Sequence, residues 1–395
     1  MKSSNALIIQ SGGSTPVINQ SLAGILRESK KLASFTKIYG AIHGTDGLLK
    51  RNITDLTNIS SLDISSIATT PGAALGSSRY KITQSNATNI LNILSDYKIA
   101  YLFIIGGNDS AANAKELGTL SKISGYKLQV IHVPKTIDND LIGTDHSPGF
   151  GSTARFIALA TMGAGKDAQT MGQSAPITII EVMGRDAGWL AASSSIGKNT
   201  CQDPPHIVCV PEHNINYEHF LNQLENTYRQ FGYAVAVVAE NSKNEEGIIG
   251  KTEKALYEDQ FGHKYFEGAG YHLSKLAESR LKVRVRYEKP GTIQRSMVSC
   301  ISIVDSTEAE MVGTKAVQYA LQGANEVMIS IKRDQLNSKY SSSTELTPVK
   351  NVADKVKYLP ANYFDNQNLL PTEDFKSYAI PLIGSPLPIF ANLLK

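Results

Sequence analysis

One pattern constrains the fold of this chain more than any other. A short uninterrupted aliphatic run, a polar turn rich in small residues and an amphipathic stretch follow one another repeatedly. "ALIIQ" (Ala6–Gln10) leads into "SGGS" (Ser11–Ser14) and a helix predicted over Pro16–Ser34, with proline in its first turn. "YLFII" (Tyr101–Ile105) leads into "GGNDS" and a helix from about Ser110. "LQVIHV" (Leu128–Val133) ends in "PKTIDND", and "PITIIEV" (Pro176–Val182) ends in "MGRDAGWLAAS" and a further helix. "HIVCV" and "YAVAVVAE", the latter closing at Glu240, continue the series. Aliphatic runs without alternation predict strands buried on both faces, and strands separated by helices pair in parallel. The expected fold class is α/β. In such sheets ligands gather at the carboxyl ends of the strands, where each of these polar turns falls.

At 395 residues the chain exceeds what one hydrophobic core fills, so two domains are expected. A formal charge of +3 gives no reason to expect a nucleic-acid or anionic-membrane partner. The first apolar run, Ala6–Ile9, is too short for a signal-peptide core, and no stretch reaches the ~18 apolar residues of a membrane span. Cys201, Cys209 and Cys300 show no CxxC spacing, which argues against a disulfide framework or a zinc site and for a reduced, cytoplasmic setting. Asn241–Gly268 breaks the rhythm with charge and glycine and reads as an excursion; the tail from Ser338 reads as a polar, irregular wrap.

The turns carry the chemistry. The glycines of "SGGS" suit either an anion held by backbone N–H groups or simply a tight turn. No GxxxxGK[ST] occurs, and "GAGKDA" (Gly163–Ala168) lacks the first glycine and puts Asp after the lysine, which argues against a P-loop NTPase. In "PKTIDND" (Pro134–Asp140), Lys135 offers a cation, Thr136 a hydroxyl, and Asp138 and Asp140 carboxylates able to take a proton or hold magnesium; an Asx-rich surface turn has the same composition. Arg185 in "MGRDAG" and Arg284, Arg286 and Arg295 in "RVRYEKPGTIQR" are planar donors for phosphate. "GGNDS" is the odd member, since Asp109 would repel any anion its glycines attract.

Taken in order, "GGS", "LGSSR", "GGNDS", "PKTIDND", "GFGSTAR", "EVMGRDAGWLAA", "VAE", "FGHKYFEGAGYHL" and "PGTIQR" resemble the motif series of the phosphofructokinases over nearly the whole chain. "TDHSPGFGS" (Thr144–Ser152) and "FGHK" (Phe261–Lys264) resemble the pyrophosphate-dependent branch. The resemblance implies two Rossmann-like three-layer α/β/α domains with mainly parallel sheets facing a central cleft. The phosphoryl-donor domain would hold 1–150 and 296–395, and the sugar-phosphate domain 151–295. It implies reversible phosphoryl transfer from pyrophosphate to the 1-hydroxyl of fructose 6-phosphate, Mg2+ as cofactor, and a homodimer or homotetramer.

Roles follow by resemblance. Asp138 corresponds to the general base. Asp109 stands where ATP users have glycine, so its charge would exclude the α-phosphate; two like charges at close range cost ~4 kcal/mol at an effective dielectric near 20. Lys135, also glycine in ATP users, would serve the transferring and leaving phosphates. Gly12, Gly13, Arg79 and Ser110 fall at diphosphate positions. Thr136, Ile137, Asp138, Asp140, Met183, Gly184, Arg185, Glu240, Arg286, Thr292 and Arg295 fall at sugar-phosphate positions. Asn108 occupies the place of the magnesium-binding aspartate. Pro176 replaces a basic residue the family often has there, and Thr292 replaces a histidine, so the sugar is less firmly specified than the donor. The rival expectations are an ATP-dependent kinase, a pyrophosphate-dependent kinase of another ketose phosphate such as sedoheptulose 7-phosphate, and a non-catalytic regulatory subunit.

Overall fold

A computed structural model of the chain describes residues 4–251, 257–258, 264–265, 268–334 and 340–391. The chain divides into two units, Met1–Ser152 with Arg295–Lys357, and Thr153–Gln294 with Tyr358–Lys395.

The first unit is built on a seven-stranded sheet in the order Ser342–Pro348, Val327–Arg333, Gln129–Pro134, Ile99–Gly106, Asn5–Gln10, Ile38–Ala41, Ile53–Asp55. The five inner strands run parallel, and an antiparallel strand closes each edge. "ALII" explains why the sheet is covered on both sides. Ala6 and Ile8 enter a core with Leu22, Ile25 and Val317, whereas Leu7 and Ile9 enter another with Ile90, Leu94 and Leu117. Helices Ile18–Lys31 and Ile303–Leu321 therefore lie on one face, and Gln84–Asp96 and Asn108–Ile123 on the other. This is the expected three-layer arrangement.

The second unit carries a four-stranded, all-parallel sheet, Val285–Glu288, Ile177–Val182, Ala234–Ala239, Ile207–Cys209. Helices Tyr217–Phe231 and Ala269–Leu281 bury Phe220, Leu224, Leu273 and Ala277 against it.

Three expectations need correction. The tail does not return whole to the first unit: from Tyr358 onward it belongs to the second. There Val208 N–H bonds the Leu369 carbonyl at 2.8 Å, and Tyr363 and Tyr378 pack on the buried Trp189, whose large apolar surface they help to cover. Arg295, assigned to the sugar domain, lies in the first unit. The stretch after Ser338 is not irregular throughout, because Ser342–Pro348 pairs along its full length with Val327–Arg333 as an edge strand. Its polar composition suits an edge with one exposed side.

Candidate active site

In the first unit the turn after Asn5–Gln10 is set by glycine. Gly12 has φ +78°, which favours glycine; its N–H bonds the Ser78 carbonyl at 2.9 Å, and its own carbonyl accepts from the Ser77 hydroxyl at 2.6 Å. Lys135 reaches this turn from the end of Gln129–Pro134, and its Nζ donates to the Gly13 carbonyl at 2.6 Å. Only 3% of Lys135 is exposed, so the ammonium is held at the turn and not on the surface. The neighbouring strand ends are tied together at the Gly106 carbonyl, which accepts from Lys135 N–H at 3.0 Å and from His132 Nε2 at 2.9 Å. Burial, with the Lys135 ammonium adding to it, lowers the His132 pKa to about 4, leaving the ring neutral at pH 7.

"GGNDS" opens the helix Asn108–Ile123, with Gly107 at its N-cap. Asp109 sits exposed in the first turn, where the helix N-terminus favours a carboxylate; this answers how its charge is tolerated there. Ser110 is buried beneath the turn, close against Gly106. Asn108 Nδ2 donates to Asp140 Oδ2 at 2.9 Å. Asn108 Oδ1 and Asp140 Oδ1 are both buried without a hydrogen-bond partner, an unusual pair of orphaned oxygens on two joined side chains.

The two aspartates of "TIDND" are separated by Asn139, fully buried at φ +55° and fixed through its Oδ1, which accepts from Ser147 N–H at 3.1 Å. The turn is therefore an anchored structure and not a surface Asx loop. Asp138 is half-buried, and its N–H bonds Thr136 Oγ1 at 3.1 Å. Ile137 is buried, which leaves only its backbone for a ligand. Thr136 bridges to Gly149, so "PKTIDND" and "TDHSPGFGS" form one assembly.

Behind that assembly lies a buried ionic cluster invisible as a motif. His146, 1% exposed, sits between Asp145 Oδ1 at 2.8 Å and Glu308 Oε2 at 2.6 Å. Glu308 Oε1 also accepts from Tyr340 Oη at 2.5 Å and Ser342 Oγ at 2.6 Å, while Arg333 pairs with Asp145 at 3.1 Å. Burial alone would lower the His146 pKa, but the Glu308 and Asp145 carboxylates outweigh it and raise the value to about 9. Lys357 closes the cluster, bonding the Thr144 and Asp145 carbonyls, with burial lowering its pKa to about 8.

A pocket of about 450 Å³ opens beside the glycine turn, lined by Gly12, Gly13, His43, Ser78, Arg79 and Arg295 among others. His43 is a lining residue that sequence reading missed, since an isolated histidine carries no spacing signal.

In the second unit, Met183 N–H bonds the Gln294 Oε1 at 3.3 Å, Gly184 has φ +136°, and Arg185 N–H bonds Glu240 Oε1 at 3.1 Å. Met183, Gly184, Arg185 and Glu240 are thus brought together at the ends of adjacent parallel strands. Arg286 forms an ion pair with Asp167, and Thr292 is exposed. Gln294, which the sequence reading passed over, is 1% exposed and fixes the Met183 backbone. The motif residues Phe261–His263 lie outside the described residues.

With this geometry in view, the chain matches the phosphofructokinase family model over residues 5–320. It belongs to the phosphofructokinase family, as its motif series implied. A protein of Rhodospirillum rubrum named pyrophosphate–fructose 6-phosphate 1-phosphotransferase is 37% identical over 389 residues, covering 97% of this chain and 95% of its own. The crystal structure of a pyrophosphate-dependent phosphofructokinase from Nitrosospira multiformis superposes with a TM-score of 0.88 at 32% identity, covering 99% of this chain and 94% of that one. A sulfofructose kinase of Alkalicoccus urumqiensis is 31% identical, covering 91% of each chain.

Proposed function

We propose that the protein is a pyrophosphate-dependent 6-phosphofructokinase working in glycolysis and its reversal. It would convert pyrophosphate and fructose 6-phosphate to phosphate and fructose 1,6-bisphosphate. The observation that carries the reading is the Lys135 ammonium, nearly inaccessible and held on the Gly13 carbonyl at a glycine turn. A full-length relative named for this activity supports it.

In this reading Gly12, Gly13, Arg79 and Ser110 hold the diphosphate, and Lys135 neutralises charge on the phosphoryl group in transit and on the departing phosphate. Asp138 takes the proton of the sugar's 1-hydroxyl as that oxygen bonds to phosphorus and the P–O–P bridge breaks. Thr136, Ile137 (through its backbone), Asp138, Asp140, Met183, Gly184, Arg185, Glu240, Arg286, Thr292 and Arg295 bind the sugar phosphate. Asp109 keeps out nucleotides by repelling the phosphate that pyrophosphate lacks.

Phosphofructokinases generally use Mg2+, and the donor set fits: Asn108 and Asp140 each present a buried, partnerless oxygen of the hard type magnesium prefers. When bound, Mg2+ would shield charge on the phosphate oxygens. The reading further includes a homodimer or homotetramer, supported by the exposed apolar Met297, Val298 and Ile303 and testable by light scattering, and a cytoplasmic place; among the described residues no helix is long and apolar enough to cross a membrane.

The test is a donor panel with Mg2+ and fructose 6-phosphate: turnover with pyrophosphate at least ten-fold faster than with ATP is expected, and equal turnover refutes the role given to Asp109. Because one relative is named sulfofructose kinase, sulfofructose belongs beside fructose 6-phosphate and sedoheptulose 7-phosphate in an acceptor panel. A higher kcat/KM with either of the other two would replace the acceptor named here.

A further inference from the structure

We propose that Asn19 and Asn113, together with Gln10, are positioning residues for the diphosphate: buried amides that hold in place the loop carrying Arg79. The proposal rests on the donor reading above and adds to it what sets the position of one of its ligands.

Between helix Ser61–Ala68 and helix Gln84–Asp96 the chain has no helix or strand. This loop nevertheless supplies Ala73, Gly76, Ser77, Ser78 and Arg79 to the lining of the 450 Å³ pocket. Backbone groups in such a loop must find partners outside the ladders of regular structure. At its start the partners are side chains. Asn19, fully buried in the first turn of Ile18–Lys31, donates through Nδ2 to the Thr70 carbonyl at 2.8 Å and the Gly72 carbonyl at 2.7 Å. Its Oδ1 accepts from Ala74 N–H at 2.9 Å. Gln10, fully buried at the end of Asn5–Gln10, accepts from Leu75 N–H at 2.9 Å and donates to Asn19 Oδ1 at 2.9 Å, which ties the amides to each other. At the far end Asn113, 4% exposed on helix Asn108–Ile123, donates to the Tyr80 carbonyl and accepts from Ile82 N–H, both at 2.9 Å. All of these residues belong to the first unit.

Arg79 is the residue immediately before the Asn113 anchor. It is exposed, and among the described residues its guanidinium has no hydrogen bond or ion pair. No protein partner fixes the side chain, so its place on the pocket wall depends on where the loop sets its backbone. An arginine on an unanchored loop loses backbone and rotamer freedom when it binds an anion, and that loss weakens binding; an anchored loop has already lost the backbone part. Amides suit this task because each offers the loop both a donor and an acceptor, with no charge to compete with a phosphate for the arginine. The helix bearing Asn113 opens with Asn108 and Asp109, so one element places the residue given to nucleotide exclusion and the end of the Arg79 loop.

The test uses the full-length enzyme and steady-state kinetics in both directions. Asn113→Ala removes both bonds to the loop and puts a stronger helix former on Asn108–Ile123, so the helix itself is retained. The expected result is a rise of about ten-fold or more in KM for pyrophosphate, and for phosphate in the reverse direction, with KM for fructose 6-phosphate within about two-fold of the parent. Asn19→Ala should raise the same constants. Arg79→Met keeps the stem and removes the charge; adding Asn113→Ala to it should change KM for pyrophosphate by less than about two-fold, because residues that act through one group are not additive. Hydrogen exchange of the parent enzyme, read by mass spectrometry, needs no variant. The peptide spanning 70–82 should retain slow amides, at Ala74, Leu75 and Ile82, exchanging about a hundred-fold or more below the rate of open chain although they lie outside helix and strand. Fast exchange throughout that peptide overturns the proposal, as does an equal rise in KM for both substrates, or full additivity of Asn113→Ala with Arg79→Met; each leaves the donor reading intact. A parent enzyme that shows the slow amides but does not turn over pyrophosphate overturns the donor reading, and with it the ligand given to the loop.

Discussion

Replacing His146 with glutamine tests the buried cluster behind the "PKTIDND" assembly. The imidazole is enclosed by Asp145 and Glu308, with Tyr340 and Ser342 on the far oxygen of Glu308, and Arg333 and Lys357 on the Asp145 side. Its pKa is raised from 6.5 to about 9. At roughly 1.36 kcal/mol per pKa unit, the protonated ring contributes ~3 kcal/mol to folding. The sign follows from which state holds the proton more tightly. The folded state does, so the contribution is complete below pH 6.5 and is lost as pH rises through about 9.

Glutamine can hydrogen-bond but cannot titrate, so the stability gap between parent and His146→Gln has a pH-dependent part. That part is expected to be ~3 kcal/mol at pH 6, ~1 kcal/mol at pH 8, and absent by pH 10. Urea unfolding followed by far-UV circular dichroism at these three values measures it. Tryptophan emission will not serve, because the chain's one tryptophan, Trp189, is in the second unit. A gap that stays flat from pH 6 to 10 would show that His146 is neutral in the folded protein, and the account of the cluster would fail.

Other consequences can be measured by kinetics. Asp138→Asn should lower kcat by about 10³ with KM for both substrates little changed, as expected for loss of a general base; a variant as active as the parent would put the proton transfer elsewhere. Asp109→Gly combined with Lys135→Gly should raise ATP turnover and sharply reduce pyrophosphate turnover, and an unchanged donor ratio would remove both residues from donor selection. Gln294→Ala leaves the Met183 N–H without its partner, so KM for the sugar phosphate should rise about ten-fold while KM for pyrophosphate holds, in keeping with a buried hydrogen bond.

The central strands were legible because burial on both faces forces an unbroken aliphatic run, as in "ALIIQ" and "YLFII". The glycine turns were legible because little else adopts the backbone of Gly12. What escaped reading depends on contacts distant in sequence. The polar edge strand Ser342–Pro348 is specified by its partner Val327–Arg333 and not by its own composition. His146, Glu308 and Tyr340 are 162 and 32 residues apart, so no local pattern joins them. Gln294 reads as one more polar residue until its Oε1 is seen on Met183. Arg295 could be placed by motif only beside the residues it neighbours in the chain, whereas it packs on Gly13.

Asn139 has a consequence that reaches past its own hydrogen bond. Two chemically identical acids flank it, and along an extended chain their matching parity would turn them to one side and leave them equivalent. A single left-handed torsion abolishes that symmetry, giving one acid an amide neighbour and leaving the other half-open to solvent. Division of labour between the twins is thus written in backbone geometry, and a branched residue at the hinge would blur it without touching either acid.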